Sequence, residues 1–83
     1  MITRVDNPYV LTEVEVDEKF DGKWVLLSLK GFRSSAGRGY VEAIGTEQND
    51  VTEMAWIAHN EFDGNALLKH GYKDRGKTWF IKP

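Results

Sequence analysis

The sequence predicts a small α+β domain in which a largely antiparallel sheet of four to five strands packs against one helix. Three observations support this class: one segment with helical spacing of apolar residues, several segments with strand-like alternation, and glycines between them. The chain has 83 residues, of which 41% are hydrophobic and 29% charged, a balance typical of one folded domain. Because one helical stripe covers one sheet face, we expect a two-layer domain with the order β-β-β-α-β-β.

Three strands are predicted before the helix. Residues 10–17 alternate apolar and polar side chains with a period of two, which is typical of a strand with one solvated face. The residues before them, 1–8, are expected to form a flexible arm. Residues 20–23 contain the Asp-Gly step of a turn, and residues 24–30 predict a second strand. Residues 38–45 predict a third strand.

The helix is predicted over residues 50–63. Asp50 precedes the first apolar position and Glu53 follows three residues later, an arrangement that predicts a capping box. Residues 63–65, with the sequence Asp-Gly-Asn, favour a left-handed end to the helix. The apolar side chains that we expect to form the buried stripe are Val51, Met54, Ala55, Ala58 and Phe62.

The region after the helix predicts two more strands, over residues 66–72 and 77–81, and a candidate nucleic-acid surface. Residues 66–83 contain five Lys or Arg and one acidic residue, interleaved with aromatic rings that could stack on bases. The alternative is that these cations pair with the acidic first 22 residues, and a net charge of −2 favours that alternative. The candidate nucleic-acid residues are Lys69, Tyr72, Lys73, Arg75, Lys77 and Trp79.

A candidate protein interface lies on the helix away from the predicted stripe. Trp56 is about 140° from the centre of the stripe at 100° per residue, and Asn60 flanks it. Ile57 also departs from the stripe. Exposed aromatic side chains are enriched at interfaces, so these three residues predict a contact with another protein or a second copy. The alternative is that another part of the same chain covers them.

The glycine-rich segment 31–39 is a candidate anion-binding loop because it carries Arg33 and Arg38 among small residues. It lacks the spacing of a phosphate-binding loop and does not lead from a strand into a helix. A long hairpin loop explains its composition equally well.

No catalytic residues, cofactor site or metal site are predicted. The chain has no cysteine, and His59 and His70 lack the spacing of a metal-binding pair. Because the chain has neither an export signal nor an apolar run of membrane length, we expect a cytoplasmic protein. Because no catalytic set of residues is visible, we expect that it is not an enzyme. The favoured hypothesis is therefore an interaction module that acts through self-association or a protein partner. The alternative is a nucleic-acid-binding domain that uses residues 69–82.

Overall fold

The computed structural model describes residues 1–73, which form one antiparallel sheet and two α-helices. The predicted α+β class with a largely antiparallel sheet is confirmed. A short 3₁₀ turn, Ser34–Ala36, lies in the loop between the third and fourth strands. The elements in chain order are β1 (Ile2–Arg4), β2 (Val10–Thr12), α1 (Glu13–Lys19), β3 (Trp24–Ser28), β4 (Arg38–Gly45), α2 (Asp50–Phe62) and β5 (Ala66–His70).

The sheet has the order β1-β4-β3-β5, and β2 pairs with the same strand, β4, as β1 does. Ile2 lies opposite Gly45 and Leu11 lies opposite Gly39, so the N-terminal segment follows β4 from one end to the other. Residues 2–4 therefore belong to the sheet, which corrects the expectation of a flexible arm over residues 1–8. The predicted third strand is confirmed at β4, and β5 confirms the strand expected after the helix.

The first predicted strand is corrected, because only Val10–Thr12 is extended and α1 follows at once. Thr12 begins this helix. Its hydroxyl accepts a hydrogen bond from the backbone N–H of Glu15 at 3.1 Å, and the Glu15 carboxylate accepts one from the Thr12 N–H at 2.9 Å. This capping box, which also lowers the pKa of Glu15, stabilises the helix start. The helix buries Val16 completely and leaves Val14 on the surface.

The two helices cover opposite faces of the sheet. Successive side chains of β3 point to opposite faces, so Val25 and Leu27 join the core under α1, where Val16 packs. Leu26 joins the core under α2, where Met54 packs. The prediction of one helix on one sheet face was therefore incomplete, since α1 adds a third layer.

The predicted helix is confirmed at α2, and its left-handed end is found at Asp63, with a φ of 57°. The buried stripe differs from the expected one. Ile57 is only 2% exposed, whereas Ala55 is exposed. The sheet contacts the helix on the side of Met54 and Ile57, which rotates the buried face away from Ala55.

The start of α2 is stabilised differently from the prediction. Its N-cap is Asn49, whose side chain makes no capping hydrogen bond, so the capping box expected between Asp50 and Glu53 is wrong. The Asp50 carboxylate instead accepts hydrogen bonds from the backbone N–H groups of Thr46 and Glu47, both at 3.1 Å. Asp50 thus ties the preceding loop to the first turn of the helix.

Among the helices of residues 1–73, none combines the length and the apolar character that crossing a membrane requires.

Candidate protein-interaction surface on the second helix

The solvent-facing side of α2 presents one large aromatic ring among polar side chains. Trp56 is 61% exposed, and the residues three and four positions away from it are exposed as well. The Asn60 side-chain amide donates a hydrogen bond to the Trp56 carbonyl at 2.8 Å, which fixes part of this surface to the backbone. We call this set the α2 outer face; it comprises Thr52, Glu53, Trp56, His59 and Asn60.

Both ends of α2 are fixed to the N-terminal strand by ion pairs. The amino group of Met1 lies 2.9 Å from the Asp50 carboxylate, which raises the pKa of the amino group and lowers that of Asp50. At the other end, Arg4 donates two hydrogen bonds to Glu61, at 2.7 and 3.2 Å, and this lowers the pKa of Glu61. These ion pairs connect both ends of α2 to the N-terminal segment.

Ile57 does not belong to the surface on which we expected it. It is buried with Leu26, Ala43 and Met54 between α2 and the sheet. The alternative of cover by the same chain is therefore right for Ile57. Of the three candidate interface residues, Trp56 and Asn60 lie on the α2 outer face, and Ile57 lies on the buried side of the helix.

The candidate nucleic-acid surface is partly engaged inside the fold. The Lys69 ammonium lies 2.8 Å from the Asp17 carboxylate, and the two side chains are only 15% and 6% exposed. The backbone N–H of Tyr72 also donates to Asp17, at 2.8 Å, and that of Lys73 donates to Asp21, at 2.8 Å. These contacts support the alternative in which the acidic N-terminal region is the partner of this segment. Tyr72 is 45% exposed.

The remaining residues of that surface, Arg75, Lys77 and Trp79, lie outside the described residues, as does the predicted strand over residues 77–81.

Gly71 holds the end of β5 tightly against α1. A Cβ at this position would collide with the carbonyl oxygen of Phe20. The backbone of Gly71 also donates to Lys23 at 2.8 Å and accepts from Gly22 at 2.9 Å. We call this contact region, together with the Asp17 contacts, the α1 latch. Only glycine fits there without movement of the backbone.

The candidate anion-binding loop places its two arginines on either side of the 3₁₀ turn. Arg33 precedes the turn and is exposed, and Arg38 begins β4. The Arg38 guanidinium lies 6.0 Å from the ring centre of Phe32, which stacks on Tyr40 with 5.7 Å between ring centres. This contact orients Arg38, and the anion-binding role of the loop stays a prediction.

A buried polar cluster on the α2 side of the sheet was not predicted from the sequence. The Ser28 hydroxyl donates to the Glu42 carboxylate at 2.6 Å, and the Lys30 ammonium lies 3.0 Å from the same oxygen. A register shift between β3 and β4 beside Leu26 gives β4 an extra residue, Glu42, whose side chain lies on the same face of the sheet as Ser28. Nothing in the alternation of β4 indicates this bulge.

The chemical capacity of this cluster is limited by burial. Ser28 is completely buried, so its hydroxyl is not accessible to a substrate, and its hydrogen bond serves the buried Glu42 carboxylate. Within residues 1–73, no three His, Cys, Asp or Glu side chains are grouped so as to hold a metal ion.

The chain matches no protein-family model, and comparison with curated proteins and with solved structures found no significant similarity. Function is therefore inferred from the surface of the molecule itself.

Proposed function

We propose that this chain is a small non-enzymatic interaction module whose contact surface is the α2 outer face, acting through self-association or a protein partner. The observation that carries the proposal is the 61% exposure of Trp56 at the centre of that face. Tryptophan is among the residues that contribute most to binding energy when a partner covers them. A large ring left in water on a helix whose other side is packed gains most from such cover.

The surroundings of the ring resemble the general organisation of protein interfaces. Thr52, Glu53, His59 and Asn60 form a polar rim, and the apolar group lies in the middle. Interfaces commonly combine an apolar centre with a polar rim that remains accessible to water. The helix is already packed on the sheet through Met54 and Ile57, so little ordering is needed on binding.

A second exposed apolar residue supplies a matched control. Val14 is 62% exposed on α1, which lies on the opposite side of the sheet. Single exposed apolar side chains of this size are normal on protein surfaces. A glutamate at Val14 therefore tests the effect of added surface charge without touching the α2 outer face.

The test compares the wild-type chain, Trp56→Glu and Val14→Glu. Solution mass is measured by analytical ultracentrifugation over a wide range of concentration, and each tagged protein is also used to capture partners from the same lysate. We expect Trp56→Glu to abolish self-association or to lose a captured partner that both other proteins retain. If Trp56→Glu behaves as the wild type does in both measurements, the proposal is wrong.

The alternative function, nucleic-acid binding by residues 69–82, has weaker support. Lys69 is paired with a buried carboxylate and is therefore less available to phosphate. The proposal predicts binding to single-stranded oligonucleotides that weakens steeply with salt and is reduced when Lys73, Arg75 and Lys77 are replaced by glutamate. Absence of any oligonucleotide shift at low salt would exclude it.

A further inference from the structure

We infer that a second surface of this chain, around Phe32 and Tyr40, binds single-stranded nucleic acid through its phosphate groups and its unstacked bases. The surface comprises Lys30, Phe32, Arg33, Arg38 and Tyr40, and we call it the Phe32–Tyr40 surface. It shares no residue with the α2 outer face or with residues 69–82. The inference therefore goes beyond the proposed interaction module.

The Phe32–Tyr40 surface lies where α2 ends and the sheet continues. The last residue of α2 is Phe62, and its ring centre is 5.9 Å from the Lys30 ammonium. Beyond this point, Tyr40 on β4 lies opposite Val10 on β2, and Val10 is 41% exposed. In the described part of the chain, this end of the sheet is therefore accessible to a ligand.

Two side chains of β4 extend onto the same face of the sheet. Arg38 and Tyr40 are two positions apart in the strand, and side chains with that spacing share a face. Gly39 between them lies opposite Leu11, which belongs to the core under α1. Arg38 and Tyr40 therefore point to the other face, the one on which α2 packs.

Each aromatic ring of the surface has a cation beside it. The rings of Phe32 and Tyr40 are stacked, with 5.7 Å between their centres and 27° between their planes. The Lys30 ammonium lies 5.5 Å from the ring centre of Tyr40, and the Arg38 guanidinium lies 6.0 Å from that of Phe32. Single-strand-binding proteins use the same combination, since rings stack on bases and cations meet phosphates.

The two arginines keep their hydrogen-bond donors available to phosphate. Arg33 and Arg38 are exposed, and neither forms an ion pair within residues 1–73. A guanidinium that lies over a ring still has its donors free, because they are at the edge of its plane, and two of them can bind one phosphate. Lys30 differs, because its ammonium is paired with Glu42 at 3.0 Å. We therefore assign the phosphate contacts to Arg33 and Arg38.

The local charge favours a polyanion over other occupants of the surface. Residues 22–41 contain four Lys or Arg and no Asp or Glu. Residues 74–83 carry three cationic side chains and one carboxylate, so like charge disfavours them as a cover. An acidic peptide would pair with the arginines and leave the rings unused, whereas a nucleic acid uses both. Only a single strand offers unstacked bases to the rings.

The size of the surface limits the strength of binding. Arg33 and Arg38 can each meet a phosphate, and a net charge of −2 adds no general attraction to a polyanion. We expect a dissociation constant of about 10 μM to 1 mM at low salt. The logarithm of the association constant should fall with the logarithm of the salt concentration with a slope of about −1.4.

The first experiment measures the fluorescence anisotropy of a labelled oligothymidylate of about ten nucleotides at several salt concentrations. It compares the wild type, Arg33→Gln with Arg38→Gln, and Lys73→Gln with Lys77→Gln, which removes the same charge elsewhere. We expect the arginine variant to bind at least about fivefold more weakly with little salt dependence, and the lysine variant to stay within about twofold of the wild type. Unchanged binding by the arginine variant would overturn the inference.

The second experiment tests the rings. Phe32→Leu keeps an apolar side chain but removes the aromatic ring. We expect about tenfold weaker binding of the oligothymidylate, because a base loses its stacking surface. An affinity within about twofold of the wild type would contradict the stacking of bases on this surface.

A neighbouring carboxylate supplies a control of opposite sign. The backbone N–H of Glu13 donates to the Gly37 carbonyl at 2.9 Å, and a Cβ on Gly37 would lie 3.5 Å from the Glu13 carboxylate. This charge repels phosphate beside Arg38, so Glu13→Gln should bind about twofold more tightly. Weaker binding by Glu13→Gln would contradict the placement of phosphate at this loop.

Competing ligands identify the source of the negative charge. Oligoaspartate of matched charge stands for an acidic peptide, and inorganic phosphate stands for a simple anion. We expect the unlabelled oligothymidylate to displace the labelled one at concentrations at least about tenfold lower than either competitor. Equal displacement by oligoaspartate or by phosphate would overturn the recognition of nucleic acid. Trp56→Glu should bind the oligothymidylate as the wild type does, so this inference and the proposed function are tested separately.

Discussion

The two helices of this domain are held against the sheet by different kinds of contact. α2 covers its face of the sheet with 13 residues and is fixed at both ends by ion pairs. α1 has only 7 residues and relies on a capping box at its start and on the α1 latch at its end. A short helix buries little apolar surface, so polar contacts must contribute more to its position.

The same difference distinguishes the helix whose contacts stabilise the fold, α1, from the helix proposed to bind a partner, α2. The contacts of α1 are directed inward, to Lys69 and Gly71, and its exposed Val14 is a small residue. α2 contacts the rest of the fold through its buried side and its ends. In the described part of the chain, Trp56 and the α2 outer face therefore do not contribute to packing the helix on the sheet. The comparison predicts that substitutions around α1 change stability, whereas those on the α2 outer face change association.

The largest expected effect tests whether both faces of the sheet are covered by a packed hydrophobic core. Leu26 and Leu27 are completely buried on opposite faces. We expect Leu26→Ala and Leu27→Ala each to lower the free energy of unfolding by about 2–5 kcal/mol, because each leaves a cavity. Urea denaturation measures both. A loss below about 1 kcal/mol for Leu27→Ala would mean that α1 does not cover a packed face.

The next effect tests the α1 latch. Asp17→Asn removes the charge that pairs with Lys69, and we expect a loss of about 1.5–3 kcal/mol in the free energy of unfolding. The control is Asp21→Asn, at an exposed position, for which we expect a change within about 0.5 kcal/mol. Hydrogen exchange should also become faster at Gly71 and Tyr72 in Asp17→Asn. Equal stability of the two variants would contradict the role given to the latch.

A smaller effect tests the start of α1. Thr12→Ala removes the hydroxyl that accepts from the Glu15 N–H, and we expect a loss of about 1 kcal/mol. Thr52→Ala serves as the control, because Thr52 is exposed within α2 and caps nothing. Thermal unfolding followed by circular dichroism is sufficient to compare them. A Thr12→Ala protein as stable as the control would show that the capping box does not determine where α1 begins.

The smallest effect concerns the ends of α2 and depends on pH. The pKa values of Asp50 and Glu61 are lowered by the Met1 amino group and by Arg4. These carboxylates therefore stabilise the fold above their ordinary pKa, near 4, and this stabilisation is lost as the pH falls through the lowered values. A protein with Asp50→Asn and Glu61→Gln should melt below the wild type at pH 7, and the difference should shrink toward pH 2. A constant difference would contradict this account.

How much the sequence predicted depends on the length and pattern of each element. α2 has more than three turns and a distinct end at Asp63, so its position was predictable. Residues 10–17 satisfy a strand pattern and a helix start at once. The Thr12 and Glu15 pair decides in favour of the helix because it satisfies the first backbone N–H groups.

The candidate site was only partly predictable for similar reasons. The angle of Trp56 from the expected stripe predicted its exposure correctly. The angle of Ile57 from the same stripe predicted exposure as well, but Ile57 is buried because the sheet contacts α2 over a differently rotated face. The burial of Glu42 was not predicted because charged side chains are rarely buried unless they are paired. The contacts of Lys69 required knowledge that α1 lies beside β5, which no local pattern contains.

The most direct test is a dilution series of amide nuclear magnetic resonance spectra of the wild-type chain, with α1 and α2 compared in one sample. The account predicts concentration-dependent shifts at Glu53, Trp56 and Asn60, and none at Val14 or Glu18 of α1. Trp56→Glu should abolish those shifts and leave the rest of the spectrum unchanged. Shifts confined to α1, or a spectrum independent of concentration up to the millimolar range, would contradict self-association through the α2 outer face.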